Sequence, residues 1–310
     1  MSKVAFIFPG QGSQTVGMGK DLFDNFEAAR AVFEEADEAL GFSLSQMCFS
    51  GDDADLQLTA NTQPAILTAS IAAYRAMESE GFLKPDFVAG HSLGEYSALV
   101  AAGVLNFADA VRTVRKRGTY MQEAVPVGVG AMAAVLGSNI ETVEQACWDA
   151  AEGQVCSPAN INSPSQVVIA GDSAAVDRAC DLLKERGAKR AIRLNVSAPF
   201  HCSLMTPAQT RLEDDLAAIQ YGDFEMPVVH NVNAGDNADS AAVADRLTNQ
   251  VSSPVRWLQS IELLRSKGVE KFVEVGPGKV LSGLVRQIDR DAKCFNVENA
   301  ESLRNTLETL

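Results

Sequence analysis

The sequence predicts an α/β protein: a large domain around a central, mostly parallel sheet, with a smaller domain inserted into it. Three observations carry this. Gly90-His91-Ser92-Leu93-Gly94 has the form G-x-S-x-G, between a short apolar run at 87–89 and a helix-forming stretch at 95–102. Strand, tight turn, helix is the context a nucleophile elbow needs. Short β-branched or aromatic runs alternate with helical patterns near both ends of the chain, which suits a parallel sheet. Residues 131–196 follow the order β-α-β-β-α-β, a split-βαβ or ferredoxin-like signature. The expected division is 1–127 plus 197–310 for the large domain and 128–196 for the insertion.

Composition bounds the rest. With 310 residues, 46% of them hydrophobic, the chain can build a large core and more than one domain. No apolar run approaches a membrane span, so no membrane association is expected. The start, Met1-Ser2-Lys3 before an apolar strand, is too short for a signal peptide. The six cysteines are scattered with no C-x-x-C, which points to free thiols and a cytoplasmic location. The three histidines show no paired spacing, so no metal is expected. A formal charge of −14 disfavours nucleic acid as a partner.

In chain order, residues 4–8 form a first strand that runs into Pro9-Gly10-Gln11-Gly12-Ser13-Gln14. Neither a dinucleotide fingerprint nor a P-loop fits this loop. The third glycine of the first would fall on Thr15, and Asp21 follows Lys20 where the second needs Ser or Thr. The loop is either a plain turn or a presenter of backbone N–H groups to an oxyanion beside the elbow. A helix is expected over 21–40. Another runs to Glu80, capped by Asn61 or Thr62, with Pro64 in its first turn and Gly81 as its stop. After the elbow helix, ended by Gly103, comes a helix over 107–124 with Phe107, Ala110, Val111, Val114, Gly118 and Met121 as its apolar stripe.

That helix carries Arg112, Arg115, Lys116 and Arg117. Helical geometry sets Arg112 and Lys116 opposite the stripe, Arg115 to the side, and Arg117 on its edge beside Val114 and Met121. A partly buried arginine needs an anion. This is either a structural ion pair or a seat for a substrate carboxylate.

Pro126-Val127-Gly128-Val129-Gly130 looks like a hinge into the insertion. Its strands are expected at 131–136, 155–161, 166–170 and 190–196, with helices at 139–151 and 173–186. The chain returns at Ser197-Ala198-Pro199-Phe200-His201, where two domains meet and a cleft is expected. Taken alone, any one histidine is more often a hydrogen-bonded core residue. Of the three, His91 is badly placed to reach back to Ser92 and His230 ends a strand-like run at 227–230. His201 is therefore the best base for Ser92. No acid between Ser92 and His201 is well placed to orient the histidine. The free carbonyls of a helix ending in 248–254 are an alternative. A helix at 257–267, strand at 271–275, helix at 280–289, strand at 294–297 and a short terminal helix complete the large domain.

Together these residues carry a resemblance. Phe8-Pro9-Gly10-Gln11-Gly12-Ser13-Gln14, Thr62-Gln63-Pro64-Ala65, Gly90 through Tyr96 and Glu274-Val275-Gly276-Pro277-Gly278 stand in the order found in malonyl-CoA:acyl carrier protein transacylases of type II fatty acid synthesis. The chain resembles that family along its whole length. The resemblance implies a hydrolase-like α/β domain with a ferredoxin-like insertion, and transfer of malonyl from coenzyme A to the pantetheine thiol of acyl carrier protein. It implies Ser92 as nucleophile, His201 as base, the Gln250 backbone carbonyl as orienter of His201, and the Gln11 and Leu93 amides as oxyanion hole. Arg117 is implied to clamp the malonyl carboxylate, with Phe200 and Met121 also on the substrate. Many bacterial members have serine where Phe200 stands; in related synthase domains phenylalanine there accompanies malonyl and serine accompanies methylmalonyl. No metal or redox cofactor is required for thioester-to-thioester exchange, and a monomer is expected. Carrier proteins of this kind are acidic, so docking calls for a basic patch: Arg112, Arg115 and Lys116, or Lys184, Arg186, Lys189 and Arg190. The rival classes are a serine hydrolase or thioesterase of similar fold and a non-catalytic binding protein.

Overall fold

A computed structural model describes residues 2–196 and 198–310. The boundary expected at Ser197 lies outside the described residues, as does Met1. The central sheet has six strands in the order Lys293–Val297, Val269–Val275, Lys3–Phe8, Phe87–Gly90, Val228–Val229 and Asp236–Asn237. The first five run parallel and only the last pairing is antiparallel. The parallel strands are apolar nearly throughout because helices cover both faces. One face packs Phe6, Phe8, Val88 and Val273 against the long helix Thr59–Ser79 and its neighbours. The other packs Ile7, Ala89 and Phe272 against Trp257, Ile261 and Leu284.

The second sheet is small and wholly antiparallel, in the order Cys156–Ser163, Gln166–Asp172, Gly130–Leu136, Arg190–Arg193. Two helices, Ile140–Ala151 and Ser173–Glu185, cover one face and share a core of Ala133, Val143, Ile169 and Leu183. This is the ferredoxin-like order. Its seam with the rest of the chain is hydrogen-bonded: Ile161 N donates to Val255 O (2.9 Å) and Val255 N to Ala159 O (2.8 Å).

Several expected elements differ. The helix expected over 21–40 is two, Lys20–Asn25 and Glu27–Leu40. The Asn25 amide turns back to the Asp21 carbonyl (2.7 Å), and Phe26 is extended (φ −130°), which drives its ring into the core. The helix holding Pro64 starts at Thr59, ahead of the expected caps. Asn61 and Thr62 do not cap it. Their side chains donate back to the carbonyls of Asp55 (2.7 Å) and Leu56 (2.6 Å). The strand expected at 190–196 stops at Arg193, and that at 227–230 is only Val228–Val229. Short helices at Leu44–Ser50 and Asp53–Gln57 were not foreseen. Among the described residues no helix is long and apolar enough to cross a membrane.

Candidate active site

The register of two parallel strands creates the site. Phe8 pairs with Gly90, so the glycine-rich loop and the elbow leave the sheet side by side. The His91 amide donates to Phe8 O (3.1 Å) and ties the loops together. At the tip, Ser92 has φ 52°, a left-handed conformation unusual for a non-glycine residue. The flanking glycines are required by contact. A Cβ on Gly90 would lie 1.9 Å from Gly94 backbone, and one on Gly94 would lie 2.0 Å from Phe8 O. Asn231 braces the strained turn from both sides. Its Oδ1 accepts from Ser92 N (2.7 Å) and its Nδ2 donates to Gly90 O (2.7 Å).

Ser92 Oγ lies 2.7 Å from His201 Nε2, and His201 Nδ1 lies 2.9 Å from Gln250 O. A carbonyl can only accept, so Nδ1 carries the proton and Nε2 is free to take one from the serine. Gln250 ends the helix Val243–Gln250, and the residue four on is Pro254, which has no N–H to donate. The carbonyl is thus left for the imidazole. His201 is buried; burial first, and then the nearby Arg117 charge, lower its pKa to about 3. It is a neutral base at any physiological pH.

Arg117 is 1% exposed. Its partners are neutral: Nη1 donates to Gln63 Oε1 (2.8 Å), and Nη2 to Gln250 Oε1 (2.9 Å) and Ser92 Oγ (3.1 Å). Its guanidinium stands 5.5 Å from the Tyr96 ring centroid. The structural ion pair weighed from the sequence is therefore not what holds it. The backbone amides of Gln11 and Leu93 donate to no acceptor among the described residues, while their neighbours Gly12 N and Ser92 N are both engaged. Gln11, Ser92, Arg117, Met121, Phe200 and His201 line one cavity of about 110 Å³, which the small sheet closes with Met132 and Asn160. Leu93 is buried behind the elbow, contributing backbone alone.

Of the basic residues considered for docking, most are already engaged. Arg112 pairs with Asp109, Lys116 with Asp215, Lys184 with Asp181 and Arg186 with Asp149, and Arg115 donates to Asn61. Sequence reasoning missed Gln63, Asn231 and Glu95 as parts of the site. Gln63 stood in a quoted motif and Glu95 directly follows the elbow. Asn231 gave no local signal, since its partners are about 140 residues away in the chain.

A serine on a strained elbow, a neutral histidine and a buried cation meet in one small cavity, beside two backbone amides that are unengaged among the described residues, and this arrangement suits acyl transfer. The chain belongs to the acyl transferase domain family, whose model matches residues 5–303. It is 50% identical to the malonyl CoA-acyl carrier protein transacylase of Bacillus subtilis, covering 100% of this chain and 98% of that protein. It is 51% identical to the protein of the same name from Escherichia coli K12, over 93% of both. Among solved structures, the malonyl CoA-acyl carrier protein transacylase of Coxiella burnetii matches with TM-score 0.98 at 44% identity, covering 100% of this chain and 98% of that one. A malonyl-transacylase in complex with a type II PKS acyl-carrier protein matches with TM-score 0.98 at 45% identity over all of both chains.

Proposed function

We propose that this chain moves a malonyl group from coenzyme A to the pantetheine thiol of acyl carrier protein, through a malonyl ester on Ser92, in the service of fatty acid synthesis. The observation that carries the reading is Arg117: a buried guanidinium whose partners among the described residues are neutral, 3.1 Å from Ser92 Oγ. Such a cation favours an acyl group that brings its own carboxylate, gripped in a charge-assisted, bidentate pair. The names of the relatives point the same way.

The chemistry follows from the residues. Ser92 Oγ attacks the thioester carbon while His201 Nε2 takes its proton. The Gln11 and Leu93 amides hold the oxyanion. The C–S bond breaks, and the proton on His201 goes to the departing thiolate of coenzyme A. The carrier thiol then enters the same cleft, loses its proton to His201 and attacks the ester carbon; the C–O bond to Ser92 breaks, and His201 returns the proton to Ser92 Oγ. The Gln250 carbonyl keeps Nδ1 protonated throughout. Met121 and Phe200 are taken to line the acyl pocket, with Phe200 against the α-carbon so that an α-branch is excluded. No cofactor is needed, since one thioester is exchanged for another.

Residues 128–196 are taken as a small domain on a large one made of 1–127 and 197–310, with the cleft between them. One chain carries every group named, so a monomer suffices, working in the cytoplasm. Lys189 and Arg190 are exposed and form no ion pair among the described residues, whereas Arg112, Lys116, Lys184 and Arg186 are paired and Arg115 is hydrogen-bonded to Asn61, so Lys189 and Arg190 are the cations best suited to receive an acidic carrier. The test is an assay with malonyl-CoA and holo acyl carrier protein that counts malonyl-carrier and free malonate separately. Carrier loading far above hydrolysis, abolished in Ser92→Ala, is expected. Predominant release of malonate would instead favour a thioesterase, and loading that survives Ser92→Ala would remove the serine from the mechanism.

A further inference from the structure

The site contains a buried carboxylate that the mechanism does not use. Glu95, the first residue after the elbow glycine, is 0% exposed. Its Oε1 lies 2.6 Å from His230 Nδ1, and its Oε2 accepts from Asn231 N (2.9 Å) and Gln250 Nε2 (2.8 Å). The orientation of each donor is fixed. Asn237 Nδ2 faces His230 Nε2 at 3.4 Å, and Asn237 is itself locked, its Nδ2 donating to Asp239 O and its Oδ1 accepting from Asp239 N. Nε2 of His230 is thus the acceptor and Nδ1 the donor.

Gln250 is the consequential partner. A carboxylate accepts only, so the Gln250 NH2 end must turn towards Glu95, where it also reaches Ser92 O (3.0 Å). That leaves Gln250 Oε1 facing Arg117 Nη2. The amide is held between an anion and a cation with its dipole aligned to both, and each end makes a charge-assisted bond. The same residue gives its backbone carbonyl to His201. One residue, Gln250, therefore ties together the base through its backbone and the cation and the elbow through its side chain, and Glu95 sets which way that side chain points.

We propose that Glu95 is a positioning residue for acyl transfer: by locking the Gln250 amide it aims the Gln250 carbonyl at His201 and Oε1 at Arg117. Elbow-type hydrolases place an acid directly on the histidine; here the acid acts one residue removed. It also supplies the negative charge nearest in kind to balance Arg117, through the amide rather than by contact, which leaves the guanidinium able to take a substrate carboxylate.

The inference rests on the transacylase reading, and the test separates the two. The probes are a neutral sulfonyl fluoride, whose rate of Ser92 labelling reports the Ser92–His201–Gln250 chain, and the preference for malonyl-CoA over acetyl-CoA, which reports Arg117. Glu95→Gln presents three donors to one remaining acceptor oxygen. It is expected to lower both readouts by about tenfold or more. Gln250→Met keeps the backbone carbonyl, removes the amide and leaves Glu95 two partners. It is expected to lower both readouts to a similar extent. The double variant should lose no more than either single one, because both act through one contact. Additive losses, or a Gln250→Met protein with wild-type labelling and preference, would overturn the role of Glu95; the second outcome is readable even where Glu95→Gln does not fold. A wild-type chain that is not labelled at all would instead overturn the transacylase reading.

Discussion

Arg117 and His201 are both buried, and burial disfavours the charged form of each. A buried guanidinium costs much unless it is paired, yet among the described residues Arg117 forms no ion pair and donates to the neutral groups of Gln63, Gln250 and Ser92. On the proposed reading, the substrate carboxylate completes the pair. Arg117→Ala is expected to reduce the malonyl-over-acetyl preference about a hundredfold, on the order of 3 kcal/mol, measured as the ratio of kcat/KM for the two thioesters. For His201 the sign is clear. Its pKa lies at about 3, below the ordinary histidine value of 6.5, so the neutral base persists as pH falls. The rate of Ser92 acylation should show no acid limb centred near 6.5; a limb there would mean that His201 is charged in mildly acid solution. Phe200→Ser should raise methylmalonyl turnover by about tenfold, the scale of a methylene-sized change in an apolar pocket. No gain would relieve Phe200 of the gating role. Ser92 and His201 were legible because their settings are scarce, with three histidines and one elbow in the chain. For Arg117 the helix position left an ion pair and a carboxylate seat both open until the family resemblance chose between them, and the role of Phe200 came only from that resemblance. The residues alone pointed to a helix end within 248–254 and the resemblance singled out Gln250, but its side chain, which touches Arg117, Ser92 and Glu95, left no trace in the sequence pattern.

At the scale of elements, the elbow is a forced conformation held by its neighbours. Ser92 and His201 both adopt positive φ, 52° and 59°. Such backbone persists only where surrounding contacts over-determine it. Gly90, Gly94 and the two Asn231 side-chain bonds supply that constraint. Gly94→Ala should destabilise the fold by about 3 kcal/mol or more, since the new methyl would meet strand backbone rather than a movable side chain; urea titration reads this directly. A wild-type midpoint would show that the elbow helix can slide. Strands and long helices were readable from apolar periodicity, and the errors fell where local chemistry overrode it. Asn25 breaks a helix that its flanks would continue. Asn61 and Thr62 look like caps but spend their side chains on carbonyls upstream. Two-residue strands are too short to carry a period at all.

For the whole molecule, the cleft lies between two sheets of different construction. The parallel sheet holds the reactive loops at one end, and the antiparallel sheet closes over them through the Val255 backbone bonds and His91 Nε2 against Asn162 Oδ1 (2.9 Å). Burial lowers the pKa of His91 as it does that of His201. Both folded values lie below the unfolded one. Between them the unfolded chain binds protons that the folded chain does not, so stability rises with pH and is lost as pH falls below about 6.5. The melting temperature should therefore decline from pH 7 towards pH 5, before most carboxylates titrate, and a flat profile would contradict the burial of this pair. The insertion was legible as a β-α-β-β-α-β order. Its seam was not, because the bonds at Val255 join residues almost a hundred positions apart.

The proposed transfer requires a covalent malonyl ester on Ser92 that waits for a thiol. Intact-protein mass spectrometry after mixing with malonyl-CoA tests it most directly. A single malonyl adduct, mapped to Ser92, that persists alone and disappears when holo acyl carrier protein is added is the predicted result. An adduct that decays equally fast without the carrier, or none at all, would contradict it.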